Sequence, residues 1–145
     1  WGAVVCRVPL LDMKRYTKLL AGASWMGEYG DPDIPEQWEY IKTFSPYHNI
    51  DGERNYPPML IVTSTRDDRV HPAHARKMMA ALEDVQADVL YYENIEGGHG
   101  AAANNEQAAF MTSLSYQYLW QQLNKERDLE TESQAESESS PDNKE

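Results

Sequence analysis

Two short stretches of this chain hold residues that can move a proton. One reads Thr63-Ser64-Thr65-Arg66-Asp67-Asp68-Arg69-Val70 and the other Glu96-Gly97-Gly98-His99-Gly100. A carboxylate bound to one imidazole nitrogen fixes the tautomer and leaves the other nitrogen free to take a proton from a nucleophile. Flanking glycines let the backbone turn tightly enough for the His99 ring to swing over the structure beside it. Each residue also has an ordinary reading. An acid between a strand and a helix often caps a turn, and a histidine in a glycine loop is often merely exposed. The pattern does not choose between Asp67 and Asp68. The serine that would complete such a set is missing, because a G-x-S-x-G elbow between strand and helix occurs nowhere in the chain. The nearest match, Gly22-Ala23-Ser24-Trp25-Met26-Gly27, has its second glycine one position late. It also follows a helical segment instead of a strand, which makes Ser24 a poor nucleophile.

The elements that must hold these residues follow from periodicity and punctuation. Ala3 to Val8 is β-branched and compact and reads as a buried strand, ended by Pro9. Asp12 to Leu20 has helical spacing and stops near Gly22. A region rich in aromatics and turn residues follows: Trp25, Tyr29, Gly30, Asp31, Pro32, Pro35, Trp38 and Tyr40. Pro35 suits the start of a short helix over Glu36 to Thr43. After a polar connection from Pro46 to Pro58, Met59 to Thr63 reads as a second buried strand. Pro72 opens a helix through Leu82, and Asp88 to Tyr92 is a third strand. A last helix spans Asn104 to Leu123, with Phe110, Leu114 and Tyr118 as its apolar stripe. Met59 to Tyr92 has the length of one βαβ crossover between parallel strands. The fold class is therefore α/β, the C-terminal half of a doubly wound, mostly parallel sheet. Such sheets bind ligands at the carboxyl ends of their strands, and Asp67 and His99 follow two of those ends.

Composition narrows the field. The chain has 145 residues and a net charge of −11. Residues 125–145 carry three basic and eight acidic residues, one leucine and no aromatic. Such a segment cannot bury enough apolar area to offset its ordering entropy, so it reads as a disordered acidic tail behind a globular part at residues 1–124. An acidic chain is a poor partner for nucleic acid or anionic lipid, and no apolar run is long enough to span a membrane. Cys6 is the lone cysteine, which rules out an intrachain disulfide and cysteine metal clusters. With no H-E-x-x-H or Cys/His cluster, His48, His71 and His74 have no metal role, and no cofactor is implied. His71 and His74, near the Pro72 helix start, read as surface or capping residues. The opening Trp1-Gly2-Ala3-Val4-Val5 begins in mid-element, as though cut from something longer.

The stretch YPPMLIVTSTRDDRVHPAHARKMMAAL, followed by YYENIEGGHG, resembles the C-terminal part of the prolyl oligopeptidase family of serine peptidases. So do VPLLDM, SWMGEYGDP and FSPYHNI, and the resemblance covers residues 1–123. It implies the α/β-hydrolase fold and cleavage of short peptides on the carboxyl side of proline. It also chooses Asp67 as the triad acid and His99 as the triad histidine. Arg69 matches an arginine that hydrogen-bonds a substrate carbonyl. Trp25 matches the tryptophan that stacks on the substrate proline, with Tyr29, Val70 and Leu10 as further pocket walls. The partners it implies are a proline-containing peptide and the missing N-terminal part of the same enzyme, which would bring the serine. On that reading the chain by itself is catalytically dead. Two other readings stay open: an esterase or aminopeptidase of a related branch, or a non-catalytic interaction module that faces its partner with the acidic tail.

Overall fold

The computed structural model describes residues 1–100 and 102–139, with side chains as far as Lys125. Three parallel strands lie in the order β1 (Val4–Arg7), β2 (Met59–Ser64), β3 (Val89–Asn94). Val4 pairs with Met59, and Met59 with Val89, so the three parallel strands start in register; β2 and β3 end together at Ser64 and Asn94, two residues beyond the end of β1. The crossover between β2 and β3 is α3 (Ala73–Asp84), which makes Met59 to Asn94 a parallel βαβ unit.

The alternation of β2 explains why helices cover both faces. Ile61 points to one side and packs with Ala75, Met78 and Leu82 of α3 and with Leu11. Leu60 and Val62 point to the other side and pack with Met111 and Tyr118 of α4 (Asn105–Ser139). A strand buried on both faces reads as a continuous apolar run, and Met-Leu-Ile-Val is one. A third cluster, Met13, Tyr16 and Ile41, lies beside the sheet and anchors Leu10, Trp25, Tyr29 and Trp38.

Four expectations are corrected. Asp12 to Leu20 is not an α-helix. The chain makes tight turns and two 3₁₀ segments, Tyr16–Lys18 and Leu20–Trp25. Leu19 between them is extended and Leu20 has φ +52°. The cause is burial of Asp12, whose Oδ1 accepts the Arg15 N–H at 3.2 Å and closes a turn instead of continuing a helix. Gly22 then folds back so closely that a Cβ there would lie 1.7 Å from the Tyr16 carbonyl oxygen. A four-residue helix, α1 (Met26–Tyr29), follows, and α2 (Pro35–Phe44) starts at its proline.

The stripe of α4 is rotated from the expected one. Met111, Ser115 and Tyr118 form its buried line, while Phe110 is 53% exposed and meets the Tyr92 ring at 5.6 Å. Spacings of four and three residues hold a helical line nearer one face than a strict step of four does. The helix also runs on to Ser139 and so takes in the start of the acidic stretch expected as a tail. Glu, Gln, Ala, Lys and Arg are good helix formers whether or not they can be buried. Residues 140–145 lie outside the described residues. Finally, His74 is not at the surface. It is 1% exposed, whereas His71 accepts the Ala73 N–H at 3.0 Å as a capping residue would.

Candidate active site

The acid turn begins where β2 leaves the sheet. Asp67 N–H donates to the Ser64 carbonyl at 3.3 Å, and Asp67 Oδ1 accepts the Arg69 and Val70 N–H groups at 2.8 and 2.9 Å. The side chain is therefore a turn residue, as its position before a helix suggests. It is also something more. Both carboxylate oxygens lie 3.1 Å from His99 Nδ1. A carboxylate only accepts, so Nδ1 carries the proton and Nε2 is left as the acceptor. Asp67 is 4% exposed; Asp68, the other candidate, is exposed.

The histidine loop is held from both sides. Asn94, the last residue of β3, accepts the Glu96 and Gly97 N–H groups at 3.0 and 3.2 Å. Its amide donates to Gln107 of α4 at 3.0 Å, and Gln107 in turn donates to Glu96 at 2.6 Å. Gly98 passes over the acid turn, where a Cβ would stand 3.6 Å from the Arg66 carbonyl oxygen. The result is a His99 side chain 38% exposed beside a buried carboxylate.

Beside this corner is a cleft of about 200 Å³ lined by Leu10, Trp25, Glu28, Tyr29 and Val70. Four of these residues come from three separate sequence regions already singled out by resemblance; Glu28 is new. Its only signal was its place within Trp25-Met26-Gly27-Glu28-Tyr29, one residue from a wall residue. Tyr29 is set by an edge-to-face contact with the buried Tyr16 ring at 6.0 Å, and the Tyr16 hydroxyl donates to the Gly30 carbonyl. Val70 joins cleft and corner, since its N–H binds Asp67 while its side chain is a wall. Arg69 is exposed, and its carbonyl accepts the Ala21 N–H at 3.2 Å, which fastens the Trp25 segment to the acid turn. Ser24 donates back to the Ala21 carbonyl at 2.6 Å.

A second Asp/His cluster was not foreseen. Asp12 is fully buried, and its carboxylate takes hydrogen bonds from the Lys77 ammonium and from Arg15. His48 Nε2 stands 3.8 Å from Asp12 Oδ1, and His48 Nδ1 is 2.8 Å from the buried Ser45 hydroxyl. The Asp12 N–H donates to His74 Nδ1 at 3.0 Å. Burial alone would raise the Asp12 pKa, but the Lys77, His48 and Arg15 charges and bonds outweigh it and hold it below the ordinary carboxylate range. Burial pushes His74 down to about 4 and His48 down as well, partly offset by the Asp12 charge. The visible signal was an acid inside the apolar run Val8-Pro9-Leu10-Leu11-Asp12-Met13. Among the described residues no group of three or more His, Cys, Asp or Glu side chains is placed to hold a metal ion. Nor is any helix long and apolar enough to cross a membrane.

A parallel sheet covered on both faces, with an acid after one strand and its histidine partner after the next, is the back part of an α/β-hydrolase fold. Residues 1–126 match the model of the prolyl oligopeptidase family, and the chain belongs to that family. It is 52% identical over 123 residues to an uncharacterized peptidase, y4nA, of Sinorhizobium fredii, covering 85% of this chain and 17% of that protein. It is 44% identical over 104 residues to the prolyl endopeptidase of Elizabethkingia miricola, covering 69% and 15%. A solved prolyl endopeptidase superposes with a TM-score of 0.82 at 38% identity, over 86% of this chain and 19% of that one. A post-proline cleaving enzyme from Rickettsia typhi gives 0.67 at 42%, over 69% and 15%. The chain thus spans less than a fifth of the length of these relatives, and it is a part of a peptidase catalytic domain.

Proposed function

We propose that this chain supplies the acid and the base of a serine peptidase that cleaves short peptides on the carboxyl side of proline. The observation that carries the reading is the Asp67 carboxylate set symmetrically, 3.1 Å from each oxygen, on His99 Nδ1. In the reaction His99 Nε2 takes the proton of a serine hydroxyl as that oxygen attacks the scissile carbonyl. Asp67 steadies the imidazolium, and His99 then returns the proton to the leaving amine. The serine comes from sequence outside residues 1–145, so the chain alone is inactive. Residues 1–124 form the C-terminal part of the hydrolase domain, and residues 125–145 are an acidic extension with no part in the chemistry.

Preference for proline has two supports. The relatives include proteins named prolyl endopeptidase and post-proline cleaving enzyme. The cleft is walled by Trp25, Tyr29, Leu10 and Val70, and flat aromatic faces suit a rigid pyrrolidine ring. The exposed Arg69 guanidinium is a fixed donor for a substrate carbonyl next to the cleft. The test is hydrolysis by the longer enzyme of a Pro-amide, an Ala-amide and an acyl ester. A Pro-amide preference that collapses by about a factor of ten or more in Trp25→Ala supports the reading. Equal cleavage of all three substrates, or a preference for the ester, overturns it.

A further inference from the structure

Contacts beyond the sheet ladder tie the turn that carries Asp67 to the strand that leads to His99. Beyond the sheet ladder, the Thr65 N–H donates to the Asn94 carbonyl at 2.9 Å. Another tie runs through Glu93, the next-to-last residue of β3. Its Oε1 accepts the Thr65 hydroxyl at 2.5 Å and Arg76 Nη2 at 2.5 Å; its Oε2 accepts Arg76 Nε at 3.0 Å and the Tyr91 hydroxyl at 2.5 Å. One carboxylate thus joins the acid turn, helix α3 and β3. Thr65 is two residues before the acid, and Glu93 is the residue before Asn94, which caps the histidine loop.

We propose that Glu93 and Thr65 are positioning residues for the Asp67–His99 pair, holding the acid turn in register with the strand that delivers the histidine. The inference rests on the peptidase reading above. An exposed ion pair by itself contributes little to stability, and the Arg76 side chain is half exposed. Here the fork of the guanidinium has a different consequence: it fixes both Glu93 oxygens, so the Thr65 hydroxyl meets an acceptor that cannot rotate away. The hydrogen bond from Arg76, outweighing partial burial, holds the Glu93 carboxyl down at about 2, so the acceptor stays ionised across the working range of pH.

The test uses the longer enzyme with Thr65→Val, which keeps the shape and removes the donor, and Thr65→Ser, which restores it. Thr65 is exposed, so neither change disturbs a core. Thr65→Val is expected to lower kcat roughly tenfold, the order of loss produced by a small misplacement of a catalytic pair. KM and Tm should stay near the parent values, and Thr65→Ser should recover most of the loss. A second measurement is the labelling rate of the active-site serine by a fluorophosphonate, which should fall in parallel. An unchanged kcat in Thr65→Val overturns the proposal. So does a loss confined to KM, or a loss that serine does not recover. A parent enzyme that neither cleaves Pro-amides nor takes the label fails the peptidase reading itself, a result visible before any variant is made.

Discussion

The molecule contains two Asp/His arrangements built from the same residue types, and they are held in opposite ways. At the sheet edge, Asp67 is buried but His99 is not, and one ring nitrogen is committed while the other is not. Under the sheet, Asp12 and His74 are both buried: the Asp12 N–H donates to His74 Nδ1, and the Lys77 ammonium and the Arg15 guanidinium hold the Asp12 carboxylate. The second cluster even contains a Ser–His–Asp sequence of contacts, Ser45 to His48 to Asp12. Ser45 Oγ, however, accepts the Met13 N–H at 3.2 Å and is closed off from solvent. Residue types therefore do not make a catalytic site. The proposed site has a partly exposed imidazole beside its buried acid, and the buried cluster with the same residue types is a clamp that joins the Leu10–Asp12 segment to α3.

The sharpest way to break this comparison is His99→Ala in the longer enzyme. Peptidase activity should fall by about a millionfold, as for loss of a triad histidine, with Tm near the parent value because the ring is partly exposed. A similar loss of activity from changes in the Asp12 cluster would merge the two regions. Instead Lys77→Met, which leaves Asp12 buried without its ammonium, should destabilise by about 3 kcal/mol. That appears as a lower melting temperature of the hydrolase domain, with activity per folded molecule retained. Ser45→Ala is milder: it leaves the Met13 N–H without its acceptor, at a cost of about 1–3 kcal/mol. An activity loss in Ser45→Ala without any loss of stability would show that the buried set is catalytic after all.

The smallest expected effect is in acid. His74 is held at about 4 against an ordinary 6.5. Between those values the unfolded chain binds a proton that the folded chain refuses. Stability from this group is therefore complete above about pH 6.5 and is lost as pH falls toward 4. His48, also lowered, acts in the same direction, and Asp12, Lys77 and His71 are the charged or titratable neighbours of His74. His74→Asn keeps an acceptor for the Asp12 N–H and removes the titration. Its melting temperature should fall less steeply over that window than the parent's, and an identical slope would assign the acid sensitivity elsewhere.

Much of the sheet was legible. The β-branched runs at Val4, Met59 and Val89, the Ala-rich α3 and the proline at the start of α2 are local signals, and each element formed where they stand. Asp12 to Leu20 misled because helical spacing is also produced by a chain that buries one acid and one tyrosine in tight turns. Glu93 gave no signal, since a glutamate at a strand end looks like any solvated residue until Arg76 and Thr65 meet it.

The linear order of residues determined the strand–helix–strand sequence, the acid and histidine after successive strands and the family to which the chain belongs, because those depend on periodicity and on short motifs. The resemblance carried by those motifs chose Asp67 over Asp68, and only the tertiary structure set the Asp67 carboxylate on His99 Nδ1 with Asp68 exposed. It alone buried His74 and added Glu28 to the cleft walls Leu10, Trp25, Tyr29 and Val70 that the resemblance had grouped. These outcomes depend on contacts between residues far apart in the chain, which no local pattern encodes: the same Asp-Asp-Arg triplet points one acid at a histidine thirty-two residues away and the other at water.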